Sequence, residues 1–240
     1  MQLETPPKPD ERGKILIDGD VVCYRAAWSA DKKEPVDALK KANEVIDWIL
    51  HNAGATCEYD DFHVFLSGST NFRKEVAVTA PYKGNRDGKK PQYLQLVRQY
   101  LQDNYPTTVS DGEEADDLLS ITATDLGPSA IIASIDKDML QVPCLHYNFN
   151  KDLWFQTEDF EGLVLFYQQI LQGDGVDNII GIPGVGPVKA ARLLKGASTE
   201  SELWAKVVEA FDGDTDRALE NARLVWLRRK IGELWEPPEN

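Results

Sequence analysis

The chain has 240 residues, 42% hydrophobic and 28% charged, enough to bury a full core as one large domain or as a domain with a smaller lobe. Its formal net charge of −14 speaks against a uniformly basic, phosphate-seeking surface. The three cysteines, Cys23, Cys57 and Cys144, are too scattered for a disulfide framework or a zinc site, and no apolar run suits a signal peptide or a membrane span, so a reducing cytoplasm is the expected compartment.

Residues 1–13 are polar and proline-containing and read as a flexible leader. Lys14–Asp18 (KILID) predicts a short buried strand with its acid at the C-terminal end. Residues 21–30 predict a helix that Asp20 is placed to cap. Pro35–Ala53 carries Val36, Leu39, Val45, Ile46, Ile49 and Leu50 at helical spacing and stops at Gly54. Phe62–Leu66 predicts a second strand, and residues 79–91, polar and basic, an exposed loop. Helices are expected over 93–105 and 113–125, followed by a fully buried strand over 130–135 that ends at Asp136. Strands alternating with helices indicate an α/β fold with a mostly parallel sheet. Ligand sites in such sheets lie beyond the strands' carboxyl ends, where Asp18 and Asp136 both fall. From about residue 158 the pattern is helical only, over 160–171, 188–194, 200–211 and 215–229, and residues 235–240 read as a stop. The division that follows is a leader (1–13), an α/β core (14–157) and a helical lobe (158–240).

Acids recur where the chain turns: Asp18-Gly19-Asp20, Glu114-Ala115-Asp116-Asp117, Asp136-Lys137-Asp138, and Asp174 with Asp177 in Gly173–Asn178. Oxygen-only clusters suit hard cations such as Mg²⁺ or Mn²⁺. Unneutralised acids about 4 Å apart repel by several kcal/mol at intermediate dielectric, so a true cluster needs cations or raised pKa values. Asp136 and Asp138 share a side if the chain stays extended, and Glu114 and Asp117 share a helix face. The plainer readings are a capping box of Asp111 with Glu114, a strand-to-turn signal at Asp18-Gly19, and ordinary loop acids at Asp174 and Asp177. Four acidic groups in one α/β frame, two of them at strand ends, favour a metal site over coincidence.

The cations are unevenly placed. Arg73, Lys74, Lys83, Arg86, Lys89 and Lys90 share one stretch, and Lys189, Arg192 and Lys195 another. Between helix-like segments, Gly181-Ile182-Pro183-Gly184-Val185-Gly186-Pro187-Val188-Lys189 forms a glycine hairpin. Its backbone N–H groups, with the helix start near Pro187, suit a phosphate held without base readout. Used only for packing, the same turn is a helix hairpin, and the basic loop a solvated surface turn.

These blocks, in this order, resemble the 5′-nucleases of the flap endonuclease and phage 5′→3′ exonuclease type. The resemblance runs from about residue 14 to about residue 194 and rests on Asp18-Gly19, Asn71-Phe72-Arg73-Lys74-Glu75, Tyr82-Lys83-Gly84-Asn85-Arg86, Glu114-Ala115-Asp116-Asp117, Ser134-Ile135-Asp136-Lys137-Asp138, Gly173-Asp174, Asp177-Asn178 and Gly184-Val185-Gly186. It implies a PIN-like core with a helix–three-turn–helix lobe (about 170–195) that grips duplex DNA, and hydrolysis of a phosphodiester near a 5′ end with two Mg²⁺ or Mn²⁺ ions. By that resemblance Asp18, Glu114, Asp116, Asp117 and Asp136 surround one ion, and Asp136, Asp138, Asp174 and Asp177 the other. Lys83 and Arg86 contact the scissile phosphate, Tyr82 stacks on a base, and Arg73, Lys74, Lys189 and Arg192 bind DNA. Gly184 and Gly186 bind backbone phosphates, in some relatives with a monovalent cation such as K⁺. A monomer and a DNA substrate with a 5′ end or flap are expected, in a phage-type setting of replication or recombination, with no membrane partner; the host cytoplasm is expected if the chain is phage-encoded.

One position departs. Relatives usually carry an Asp three residues before the Asn-(Phe/Trp)-Arg-Lys block, where this chain has Gly68. Three accounts follow: a natural loss compensated by Asp20 or water, a crippled nuclease that still binds DNA, or an engineered exchange. Gly68→Asp is expected to raise cleavage or lower the Mn²⁺ requirement. The competing functions are a structure-specific DNA-binding protein, a PIN-type ribonuclease, and removal of RNA primers from RNA–DNA hybrids.

Overall fold

The computed structural model describes residues 1–4, 13–54 and 61–239, so Cys57 and most of the expected leader lie outside the described residues. Residues 1–4 pair with a sheet edge: Gln2 bridges Phe155, and Leu3 N donates to the Trp154 carbonyl at 2.8 Å. The chain forms two compact units, Met1–Thr70 with Lys89–Thr157, and Asn71–Gly88 with Glu158–Asn240.

The first unit is an α/β sandwich. In chain order it contains β1 (Lys14–Asp18), α1 (Gly19–Ser29), α2 (Pro35–Ala53) and β2 (Phe62–Leu66). After α3 (Arg73–Val76), which belongs to the other unit, come α4 (Leu94–Asn104), β3 (Thr107–Val109), α5 (Ala115–Leu126), β4 (Ala130–Ala133), β5 (Leu145–Asn148) and β6 (Leu153–Gln156). The sheet order is β3-β2-β1-β4-β5-β6, parallel throughout except that β6 runs antiparallel to β5. Ile15, Ile17, Val64, Leu66, Ile131 and Ala133 point to one face, where α1, α2 and α4 bury Val22, Ala26, Ile46, Ile49 and Val97 against them. Helix α5 packs on β1, β2 and β4 and shares no residue with that cluster, which places it on the other face. Both faces are covered, so Leu16 and Ile132 are as buried as their neighbours, as parallel strands require.

Helix α1 starts two residues earlier than expected, and its cap is Asp18, whose carboxylate accepts from Val21 N at 3.1 Å. Asp20 is therefore a first-turn residue, not the cap. Helix α2 begins with Pro35 and ends at Gly54 in the left-handed region, as its sequence predicts. Three short strands escaped the sequence reading. Thr107–Val109 (TTV), Leu145–Asn148 (LHYN) and Leu153–Gln156 (LWFQ) lack a long apolar run, and their pairing comes from β2, from β4 and from each other.

The second unit contains α6 (Asp159–Gln172), β7 (Gly173–Asp174), β8 (Ile179–Ile180), α7 (Pro187–Leu194), α8 (Glu200–Ala210) and α9 (Thr215–Val225). Phe166, Tyr167, Ile170 and Leu171 on one side of α6 anchor its core, with Leu194, Leu203, Val207 and Ala222 packed on them. Trp235 closes the cluster, its ring 5.4 Å from Phe166 and 5.2 Å from Trp204. The region is not helical only, because β7 and β8 form a two-stranded antiparallel pair around the Asp174–Asp177 turn. Helix α9 ends at Val225 rather than near residue 229. The Leu224 and Trp226 carbonyls are taken by Arg73, whose Nε and Nη2 donate to them at 2.8 Å each.

Candidate active site

Each unit carries part of the constellation that the sequence singles out. In the α/β unit, β1 and β4 are neighbours, so their carboxyl ends bring Asp18 and Ser134 together. Ser134 Oγ donates to Asp18 Oδ2 at 2.7 Å and accepts from Asp136 N at 3.0 Å, and Asp136 Oδ1 accepts from Asp138 N at 2.9 Å. The chain does not stay extended after Asp136; it coils into a 3₁₀ turn, Lys137–Gln141, with Asp136 as its cap. Asp136 and Asp138 are thus linked side chain to backbone, not aligned by strand alternation.

The start of α5 is fixed beside the end of β2 by Ala115 N donating to Ser67 Oγ at 2.9 Å. Its cap is Glu114, and the reciprocal partner is Asp117, whose Oδ2 accepts from Glu114 N at 3.0 Å. Asp111 is not part of this box; it accepts from Thr70 Oγ1 at 2.8 Å. Asp117 is fully buried, while Glu114 and Asp116 are half-buried.

Asp18 is the electrostatic centre of this edge. Burial pushes its carboxyl up to about 7, and the charges of Asp20 and Asp136 push the same way, against hydrogen bonds from Ser134 and Val21. Among the described residues no group of three or more carboxylates, histidines or cysteines is gathered closely enough to hold a metal ion by itself. The donors nonetheless fit Mg²⁺ or Mn²⁺, which are held by one or two carboxylates while waters and phosphate oxygens complete the shell. All are hard oxygens, and one is a buried acid that neighbouring charge destabilises in its ionised form.

Gly68 is locked in place by its neighbour strand. Ser110 N donates to the Leu66 carbonyl at 2.8 Å, and Gly68 N to Ser110 Oγ at 2.9 Å. A Cβ on Gly68 would stand 2.0 Å from the Ser110 carbonyl oxygen. Nor is Asp20 open to replace a lost ligand: its Oδ1 is paired with Arg98 Nη1 at 2.5 Å, and its Oδ2 accepts from Ser67 N at 3.0 Å. The backbone here is shaped for glycine.

In the other unit, the basic segment folds onto the β7–β8 turn. Asp177 gathers its cations: Arg86 Nη2 lies 2.5 Å from Oδ1 and Lys83 Nζ 3.6 Å from Oδ2. Tyr82 OH donates to the same Oδ2 at 2.7 Å, and Lys83 N donates to the Asp177 carbonyl at 2.8 Å. Lys83 holds a left-handed φ of 56°, a conformation a non-glycine residue keeps only where its surroundings impose it. Asp174 accepts from Val176 N at 2.7 Å, which closes the acidic turn.

Two residues expected on DNA are instead packed. Tyr82 is 8% exposed, against Ile179 and Leu224, so its ring is no free stacking face. Arg73 is 2% exposed and bound to the Leu224 and Trp226 carbonyls at the end of α9. Lys74, Lys189 and Arg192 are exposed. Gly184 has φ 73° in the turn before α7, and Gly186 caps that helix.

Several residues of these sites were not singled out from the sequence. Ser134 stands two residues before Asp136, which strand alternation could have flagged. Arg98 and Glu220 gave no local signal. Glu220 holds the basic segment: its Oε1 accepts from Val78 N at 2.8 Å and Thr79 N at 2.7 Å, and its Oε2 from Thr79 Oγ1 at 2.6 Å.

No family model matches the chain. The flap endonuclease Xni of Aeromonas hydrophila is 32% identical over 197 residues, covering 70% of this chain and 71% of that protein. DNA polymerase I of Rhizobium leguminosarum is 32% identical over 164 residues, 61% of this chain but 16% of the polymerase, so the chain spans only a small part of that relative. Among solved structures, the T5 D15 protein co-crystallised with metal ions superposes with a TM-score of 0.71 at 18% identity over 89% of each chain. The bacteriophage T5 D15 flap endonuclease in a complex with DNA and metal ions gives 0.68 at 17% identity, again over 89% of each. Those structures share the α/β fold with its mostly parallel six-stranded sheet and C-terminal helical region. With the Xni relative matched over more than two thirds of its length, the chain belongs to the 5′-nuclease family of flap endonucleases and 5′→3′ exonucleases.

Proposed function

We propose that the chain is a metal-dependent 5′-nuclease that hydrolyses a DNA phosphodiester near a 5′ end, on flaps or at duplex termini. The observation that carries this reading is the linked acid edge Asp18–Ser134–Asp136–Asp138, with a buried carboxyl pushed to about 7. A divalent ion bound there would supply Lewis acidity and an activated water. Asp18, Glu114, Asp116, Asp117, Asp136 and Asp138 would hold such ions from the α/β unit, and Asp174 and Asp177 would act from the other.

Lys83 and Arg86 stand ready to offset charge on the phosphate. In the present arrangement both are neutralised by Asp177, so a phosphate would take over cations that a carboxylate now holds. Lys74, Lys189, Arg192 and the Gly184–Gly186 turn would grip backbone phosphates without reading bases, with K⁺ as the cation bound at the turn.

The test is a 5′-labelled flap duplex incubated with Mg²⁺, with Mn²⁺ and with EDTA. Cleavage in the metal lanes, lost in Asp18→Asn and Arg86→Ala, is expected. Retarded but uncut DNA under every metal condition would instead favour a structure-specific DNA-binding protein. That second reading is favoured by one observation, the missing carboxylate at Gly68. An RNA-primed duplex in the same assay decides whether RNA–DNA hybrids are substrates.

A further inference from the structure

The α/β unit holds a cavity of about 360 Å³ between α1, α2 and the turn after β5, walled by Arg25, Lys41, Glu44, Trp48, Phe149 and Asn150. It is separate from the acid edge: from residue 18 to residue 25, α1 climbs about 10 Å. The volume falls at the small end of the range for ligand pockets. It suits a ligand of mononucleotide size.

The walls are built rather than incidental. Trp48 is 49% exposed and packs over the buried Tyr147. Its indole lies beside the Tyr147 hydroxyl, which donates to Asp152 at 2.9 Å. Tyr147 itself stacks on Trp154 with ring centroids 4.8 Å apart. A half-exposed indole seated on packed aromatics offers a flat ring a face to stack on.

Charge is arranged beside the plate. Arg25 is exposed, with its guanidinium 6.0 Å from the buried Phe149 ring, and has no carboxylate partner among the described residues. Lys41 is paired with Glu44 at 2.9 Å, one turn along α2. The wall therefore presents an unneutralised guanidinium and a Lys41–Glu44 pair, whose lysine a phosphate would have to take from the carboxylate, next to an open indole face. Stacking surface plus guanidinium is the chemistry that recognises a base and its phosphate. Phe149 follows directly on β5, so the pocket sits at the carboxyl end of a parallel strand, where such sheets place ligands.

We infer that this cavity binds a nucleoside 5′-monophosphate unit, its base on Trp48 and its phosphate on Arg25 and Lys41. The unit is either a free mononucleotide or one nucleotide of a strand. The inference does not depend on cleavage, and its test excludes the metal site by working in EDTA.

The probes are deoxyadenosine 5′-monophosphate and a 5′-phosphorylated tetranucleotide, titrated calorimetrically into the full chain. Saturable binding is expected, weakened at least about tenfold by Trp48→Leu and by Arg25→Gln. Deoxyadenosine without phosphate, and inorganic phosphate alone, should each bind at least about tenfold more weakly than the mononucleotide. If the variants weaken the mononucleotide, its source is the free pool; if they weaken only the tetranucleotide, it is a strand. Because Trp48 touches the packed Tyr147, Arg25→Gln and Lys41→Gln, both at solvent-facing side chains, carry the test should Trp48→Leu fail to fold. Absence of saturable binding by both probes, or binding that none of the variants changes, overturns the inference.

Discussion

Arg98 Nη1 meets Asp20 Oδ1 at 2.5 Å, while its other amino group donates to the Ser67 carbonyl at 2.5 Å. One guanidinium from α4 thus ties the first turn of α1 to the end of β2, the two places from which the acid edge is built. The pair is largely buried, so breaking it leaves a poorly solvated carboxylate close to Asp18. Arg98→Ala should destabilise the protein by about 1–3 kcal/mol, read as a drop in the urea midpoint. A double-mutant cycle with Asp20→Asn should give a coupling above about 1 kcal/mol; additive effects would show that the clamp does not exist in solution.

Gly68→Asp, which the family comparison of motifs would suggest as a repair, should fail. The added Cβ collides with the Ser110 carbonyl oxygen, so β2 and β3 must part before any carboxylate can reach an ion. The expected outcome is a loss of about 1–3 kcal/mol in stability with no gain in cleavage. A variant that both melts like the parent and cuts faster in Mg²⁺ would refute this account of the glycine.

Asp18 makes apo-protein stability depend on pH. Its folded carboxyl, held at about 7 by burial first and by Asp20 and Asp136 next, lies above the ordinary 3.8. The folded state therefore keeps a proton that the unfolded chain gives up, so this contribution is complete below about pH 3.8 and is lost as pH rises through about 7. In EDTA, melting temperature should fall between about pH 5 and pH 8 for the parent and fall less for Asp18→Asn. Adding Mg²⁺ at about pH 8 should raise the parent's melting temperature and leave that of Asp18→Asn nearly unchanged.

Glu220 should govern whether the basic segment stays docked on its own unit. Burial works against its charge, but bonds from Thr79 and Val78 and the nearby Arg217 outweigh it and hold the carboxyl below its ordinary value. A lowered carboxyl contributes stability that is present above the ordinary value and disappears as pH falls through the folded one. Glu220→Ala should cost about 1–3 kcal/mol and open residues 71–88 to limited proteolysis at neutral pH. Unchanged cleavage kinetics in that segment would count against the docking role.

The sequence made the frame legible wherever local signals were strong. KILID, FHVFL and AIIA are apolar runs that only a covered parallel sheet can use, and Pro35 and Gly54 bracket α2. The candidate acids were legible as types, but their geometry was not. Whether Asp136 and Asp138 align depends on the 3₁₀ turn that follows, and nothing in Asp-Lys-Asp announces it. Arg73 read as a DNA contact because its partners, the Leu224 and Trp226 carbonyls, lie 151 and 153 residues away. Tyr82 misled for the same reason, since Ile179 and Leu224 bury its ring. Distant packing reassigns a surface residue without leaving a local trace.

The helical unit is assembled from two stretches of chain, Asn71–Gly88 and Glu158–Asn240. During synthesis the earlier stretch emerges well before α9 and the β7–β8 turn that anchor it. The contacts that Arg73, Tyr82 and Lys83 make with Leu224 and Asp177 therefore form only after the later stretch has been synthesised. No single cut of the polypeptide separates the two units, and a product ending near residue 157 would lack the contacts that Asp177, Glu220 and Leu224 give the earlier stretch.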